Sequence, residues 1–427
     1  MRVGQLFILA VAALATPGCA KLTLAWADLE AKGPPARPPI FDGDAPSLDQ
    51  WERVEKPALQ KAFEEDVYGY LPDASSTEIV SRRVIDEAAF GGLAILEEYE
   101  IKASATFGAA TKTTKPFYVD VLLPAAARGP VPLIMMESFC PRTSAIPHPG
   151  VTALDDGDFC SGGGLMSGLM TYVFGRYIAT PPIEAILARG YAIAAIYPSE
   201  AVPDSRREGA AALADLAEGH EDARTRWGAV AAWAWIYSRV VDALLTDDRI
   251  DDDGLVAWGH SRYAKAALVA AAYDQRIDAV IAHQSGTGGA SLNKEKAGET
   301  LRSITSQYPH WFAKAYEEYA GREEAMPVDQ HELLALIAPR PVLLGNARRD
   351  VWSDPSGAFR AARGADPVYE LYGARGLDQD RMTPFRPGAE IAFWIRPGTH
   401  GVVKEDWPAF LEFLDAHLKG KVQTADN

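Results

Sequence analysis

From residue 131 onward the chain alternates short apolar runs with stretches of helical period. Val131–Glu137 and Tyr191–Tyr197 are almost wholly apolar, and the second follows a helical pattern over Ile183–Arg189. Leu255–Trp258, Asp278–His283, Pro341–Leu344 and Glu390–Trp394 read as further strands. A long apolar helix is predicted over Arg226–Leu245, and a last helix over about Trp407–Leu418. Strands without polar alternation are covered on both faces, and such strands alternating with helices build a largely parallel sheet. Upstream the pattern differs. Trp51–Tyr70 reads as helix, and Thr77–Val84, Leu93–Lys102 and Phe117–Leu123 read as antiparallel strands. The expectation is an α/β three-layer sandwich with a mostly parallel central sheet and N-terminal antiparallel strands. Trp227, Trp233 and Trp235 fall on the long helix, where packing against the sheet is the expected use of these indoles.

The 427 residues can bury one large core, and no internal repeat or Gly-x-Gly-x-x-Gly strand–helix junction divides them. Residues 51–420 are taken as one catalytic domain, 21–50 as an extended arm rich in proline and glycine over Ala31–Gly43, and 421–427 as a tail. Residues 1–20 carry one early positive charge, a short apolar segment and small residues, the make-up of an export signal. Cys19 is where a lipoprotein anchor would attach, although Thr16 departs from that pattern. A released periplasmic or extracellular protein is therefore favoured, with an outer-membrane lipoprotein as the alternative. A net charge of -16 argues against nucleic acid as a partner. Once the signal is removed, Cys140 and Cys160 remain, either as a disulfide in an oxidising compartment or as two buried thiols. No His-Glu-x-x-His occurs, and nothing in the pattern calls for a metal or an organic cofactor.

The chemistry centres on Gly259-His260-Ser261-Arg262, where an apolar run ends and an alanine-rich helix begins. That junction fits a nucleophile elbow, in which a sharp turn lifts the hydroxyl above the sheet. Tyr263 replaces the second glycine of Gly-x-Ser-x-Gly. His400, in a glycine-flanked loop after the last strand, is the candidate base. Asp350, just beyond the Pro341–Leu344 strand, is the favoured carboxylate partner, with Asp354 as the alternative. The order Ser, Asp, His is that of the α/β-hydrolase arrangement. Ser261 could instead serve only as a helix cap, and His283 is a weaker base candidate. His260 is expected to point away from the site. Arg262 supplies a backbone N–H and a guanidinium for an oxyanion. Arg262 and Lys265 share a helix start, where two cations oppose the dipole. That arrangement suits a carboxylate or sugar nearby, or an internal ion pair to Glu299 or another acid.

These segments, with Gln284-Ser285-Gly286-Thr287-Gly288-Gly289, Gly298-Glu299 and Asp350-Val351-Trp352-Ser353-Asp354-Pro355, resemble the glucuronoyl esterases of carbohydrate esterase family 15, particularly bacterial members. The likeness runs from about Tyr68 to Leu418. It implies an α/β-hydrolase acting, without a cofactor, on esters of glucuronic or 4-O-methylglucuronic acid borne on glucuronoxylan. By the same resemblance Ser261 is the nucleophile, His400 the base and Arg262 the oxyanion side chain. Lys265, Glu299 and Trp352 contact the uronate hydroxyls. Fungal members carry the triad acid just before Ser-Gly-x-Gly-Gly, where this chain has Gln284, so the acid moves to Asp350 as in some bacterial relatives. Ala264 stands where the family commonly has glycine, and Glu137–Arg142 departs from the usual loop. An acetyl xylan or other carbohydrate esterase, a peptidase and a non-catalytic glycan-binding protein are the competing readings.

Overall fold

The structure, a computed structural model, describes residues 38–41, 43–154 and 173–419. The expected export signal with Cys19, most of the expected arm, Cys160 and the tail 421–427 lie outside them. Cys140 is buried and disulfide-bonded.

Among the described residues one sheet holds ten strands: β1 (Ala74–Ala88), β2 (Ala94–Phe107), β3 (Ala110–Thr113), β4 (Phe117–Pro124), β5 (Val131–Glu137), β6 (Ala192–Ile196), β7 (Ile250–His260), β8 (Ala279–His283), β9 (Val342–Ala347) and β10 (Ile391–Arg396). Their order is β1-β2-β4-β6-β5-β7-β8-β9-β10, with β3 on β2. The strands from β1 to β6 in that order pair antiparallel. From β6 to β10 every pair is parallel. The expected division between an antiparallel N-terminal part and a parallel remainder is what the sheet shows.

Six helices matter for the site: α1 (Lys56–Phe63), α2 (Ile183–Ala188), α3 (Ala229–Leu244), α4 (Arg262–Tyr273), α5 (Pro355–Leu371) and α6 (Asp406–Leu414). Phe63 of α1, Val240 of α3, Leu268 of α4 and Phe359 of α5 join one buried cluster. Ile186 of α2 and Phe410 of α6 join another. β5 shows why both faces are apolar: Leu133 and Met135 enter the first cluster, Ile134 and Met136 the second. Truncating a buried ring such as Phe410 to alanine would cost about 3–5 kcal/mol.

The tryptophans of the long helix and its approach are buried, as expected. Trp233 donates to the Val202 carbonyl at 3.0 Å, which ties the loop after β6 to α3. The chain departs from expectation at β7, which begins at Ile250 and runs through Asp251–Asp253. A register irregularity between Val131 and Leu133 leaves those acids outside the core while the strand continues. The last helix ends at Leu414, followed by a wider turn over Asp415–Lys419.

Candidate active site

β7 lies between β5 and β8, and its register sets Gly259 beside Glu137 and His260 beside His283. Immediately beyond, Ser261 takes φ 58° and ψ -118°, a left-handed conformation for a non-glycine residue. Such a backbone stores about 1–3 kcal/mol and persists only where its surroundings impose it. Two features impose it here. The Ser261 N–H donates to the His283 carbonyl at 2.8 Å. A Cβ at Gly259 would lie 2.2 Å from the Tyr263 carbonyl oxygen, so the returning helix passes only because position 259 is glycine. Ser261 occupies the cap position of α4 without a side-chain cap bond, which leaves its hydroxyl uncommitted to the helix. Arg262 opens α4, so its N–H is one of the groups that find no acceptor within a helix.

The remaining sequence-predicted groups follow the carboxyl ends of β8, β9 and β10, where open α/β sheets place their sites. His400 Nδ1 lies 2.7 Å from Asp350 Oδ2. Asp350 is only 4 % exposed. Burial alone would raise its pKa, but the hydrogen bond and charge of His400, helped by Ser353, hold it below the usual carboxylate range. With Nδ1–H donating to that carboxylate, the neutral ring keeps its lone pair on Nε2. Asp354 sits elsewhere: it caps α5 by accepting from the Gly357 N–H at 3.0 Å and also accepts from Ala297 N–H. Ser261 and His400 line a common cleft of about 600 Å³ with Phe139, Tyr197, Asp204 and Arg262. Among the described residues no hydrogen bond joins Ser261 to His400 directly, and such contacts often tighten only in the substrate complex.

The His400 loop is held from two directions. Gln284, itself at φ 53°, accepts from Gly401 N–H at 2.8 Å and donates to the Thr399 carbonyl at 3.3 Å. Arg396 donates to the Gly401 carbonyl at 2.6 Å and pairs with Asp406 at 2.8 Å. Burial would raise Asp406, yet His283, Arg396 and the Val403 N–H bring it down to about 2.

His260 does not point away as expected. Its ring lies 4.6 Å from that of His400, and it lines the same cleft. Its Nδ1 is 3.1 Å from Nδ1 of His283, whose Nε2 is 3.6 Å from Asp406. Burial, then the neighbouring His400 and His283, push His260 well below the usual imidazole range, so it is a neutral support under His400. The pleat explains the difference, because a strand-end residue paired with His283 emerges on the side of the His400 loop.

Arg262 and Lys265 diverge despite their spacing. Arg262 enters the cleft and pairs with Asp204, an acid that nothing local in Pro203-Asp204-Ser205 marks as functional. Lys265 is 3 % exposed and donates to the carbonyls of Ser285 and Thr287, the latter at 2.6 Å. Burial lowers its ammonium to about 7, although Glu299 opposes the fall. Burial likewise raises Glu299, against the pull of Lys265 and Lys296. The Glu299 N–H donates to the Trp352 carbonyl at 2.9 Å, and the Trp352 side chain is half exposed. Lys265, Glu299 and Trp352 thus form a neighbourhood of their own, not among the residues lining the 600 Å³ cleft. Among the described residues no three His, Cys, Asp or Glu side chains converge as a metal centre would require.

A carbohydrate esterase from an unknown prokaryotic organism is 34 % identical to this chain over 384 residues, covering 88 % of it and 87 % of the relative. A promiscuous family 15 esterase from a marine bacterial metagenome superposes with TM-score 0.76 at 32 % identity, over 90 % of this chain and 97 % of the other. The chain belongs to carbohydrate esterase family 15. A glucuronoyl esterase from Solibacter usitatus gives 0.73 at 30 % identity, over 87 % and 94 %. Residues 190–373 also match the family described as glucuronyl esterase, fungi. In this family 15 member the amide of Gln284 fastens the His400 loop.

Proposed function

We propose that this family 15 enzyme hydrolyses esters of glucuronic or 4-O-methylglucuronic acid on glucuronoxylan, through a glucuronoyl-enzyme intermediate. The observation that carries the reading is the 2.7 Å Asp350–His400 bond at the edge of the cleft that holds Ser261. Ser261 Oγ attacks the ester carbonyl while His400 Nε2 takes its proton, and Asp350 stabilises the resulting imidazolium. The Arg262 N–H and guanidinium receive the charge that develops on the carbonyl oxygen. His400 then protonates the departing alcohol and activates the water that releases the uronic acid. Lys265, Glu299 and Trp352 are assigned to the uronate hydroxyls. Trp352 offers an exposed indole and Glu299 an acceptor held in place through its own backbone. The disulfide at Cys140 supports export to an oxidising compartment, periplasmic or extracellular, with or without a lipid at Cys19.

Side-by-side turnover of benzyl glucuronate and an acetylated sugar tests the reading, with Ser261→Ala as control. Benzyl glucuronate should be the faster substrate, and Ser261→Ala should abolish turnover of both while remaining folded. Faster release of acetate would assign the enzyme to acetyl esters instead. Turnover retained in folded Ser261→Ala would remove the nucleophile from the scheme.

A further inference from the structure

The guanidinium of Arg262 has very little freedom. Its Nη1 donates to Asp204 Oδ2. One face lies over the Trp311 indole at 4.8 Å and extends toward Tyr308 at 5.6 Å, and those two rings are themselves stacked 3.8 Å apart. Nε is buried without a hydrogen-bond partner. The Nη2 edge is what remains for the cleft, on a side chain 27 % exposed.

Asp204 is bound just as tightly. Its Oδ1 accepts from His310 Nε2 at 3.0 Å and from Trp311 Nε1 at 2.8 Å, while Oδ2 is given to Arg262. Burial opposes ionisation, but His310, Arg262 and Trp311 outweigh it and bring the carboxyl down to about 2. Asp204 comes from the loop after β6, whereas His310 and Trp311 precede a helix at Lys314–Glu318. Two distant segments therefore converge on one carboxylate, and that carboxylate spends a whole oxygen on one arginine.

We infer that Asp204, braced by His310 and Trp311, is the positioning residue that aims the Arg262 guanidinium at the carbonyl oxygen of the bound ester. This rests on the proposed oxyanion role of Arg262. A planar cation clamped at one nitrogen and along one face keeps its orientation between turnovers. A free arginine would have to be ordered at the moment of charge development, which is the reorganisation that preformed sites avoid.

The test is a double-mutant cycle on benzyl glucuronate with D204N and R262A, read as separate kcat and KM values. D204N keeps the size of the side chain and removes the charge that holds the guanidinium. It should lower kcat by roughly 30-fold or more with KM within about threefold, because the lost interaction acts on the transition state. Adding D204N to R262A should cost no more than about threefold further, since both changes remove one unit. A merely structural Asp204 would leave kcat intact in the folded protein, or its loss would multiply with that of R262A, and either result overturns the inference. If R262A itself turns over normally, the oxyanion reading has failed and the inference goes with it. A normal D204N beside an impaired R262A sinks the positioning role alone. Should D204N not fold, W311L removes both the Nε1 donor and the stacking face. It is expected to lower kcat and to be non-additive with R262A, and an unchanged kcat would refute the inference.

Discussion

Arg262 and Lys265 lie three residues apart on α4, yet the fold treats their charges in opposite ways. Arg262 faces a cleft, lies over an indole and is matched by a carboxylate held down at about 2. Lys265 is buried, answered by two carbonyl dipoles, and its ammonium falls to about 7. Burial makes the charge of Lys265 conditional on pH. In the proposed scheme the two residues have different tasks, Arg262 at the oxyanion and Lys265 at a uronate hydroxyl.

Substitutions can break this contrast in order of severity. Arg262→Ala should lower kcat by about 10²–10³-fold with a smaller change in KM, and steady-state kinetics on benzyl glucuronate would show it. Arg262→Lys should recover little of that loss, because an ammonium cannot both pair with Asp204 and lie along Trp311. Equal activity of the two cations at position 262 would mean that charge alone matters there. Lys265→Met leaves the Ser285 and Thr287 carbonyls without their donor, at about 1–3 kcal/mol for each group left unpaired. Urea unfolding at pH 6–7 should detect it, accompanied by a rise in KM rather than a loss of kcat. The most gradual effect is in the pH dependence. The unfolded chain titrates Lys265 near 10.4 and the folded protein near 7. Between those values the unfolded chain holds a proton that the folded one has released. Wild-type stability relative to Lys265→Met should therefore rise as pH increases from about 7, by at most about 1.4 kcal/mol per unit. A difference that stays flat to pH 10 would show that the ammonium remains charged.

Much of the sheet was readable because β5, β6 and β8 are buried on both faces and so carry apolar residues at almost every position. The elbow was readable for a related reason: the strand–helix junction is local, and Gly259 announces the close approach. α5 was not foreseen. Gly357, Gly364 and Pro367 dilute its helical signal, and tertiary packing on β9 and β10 supplies what propensity lacks. β3 escaped as four half-polar residues paired only with β2. Asp350 was separable from Asp354 by its place after a strand. In the fold, Asp354 is taken up as the cap of α5. Asp204 was invisible, because its importance lies in partners about 60 to 110 positions away, and no local spacing encodes them. The same holds for the contact between His260 and His400, which depends on strand pairing and loop return together.

Gln284 gives the enzyme a mounting that acidity cannot loosen. A carboxylate in its place would let go of the Gly401 N–H once protonated, and the loop would drift just as the base lost its own partner. With an amide there, acid can neutralise Asp350 while the imidazole stays on its perch. Return to neutral pH should then restore turnover at the speed of proton exchange, with no refolding step in between.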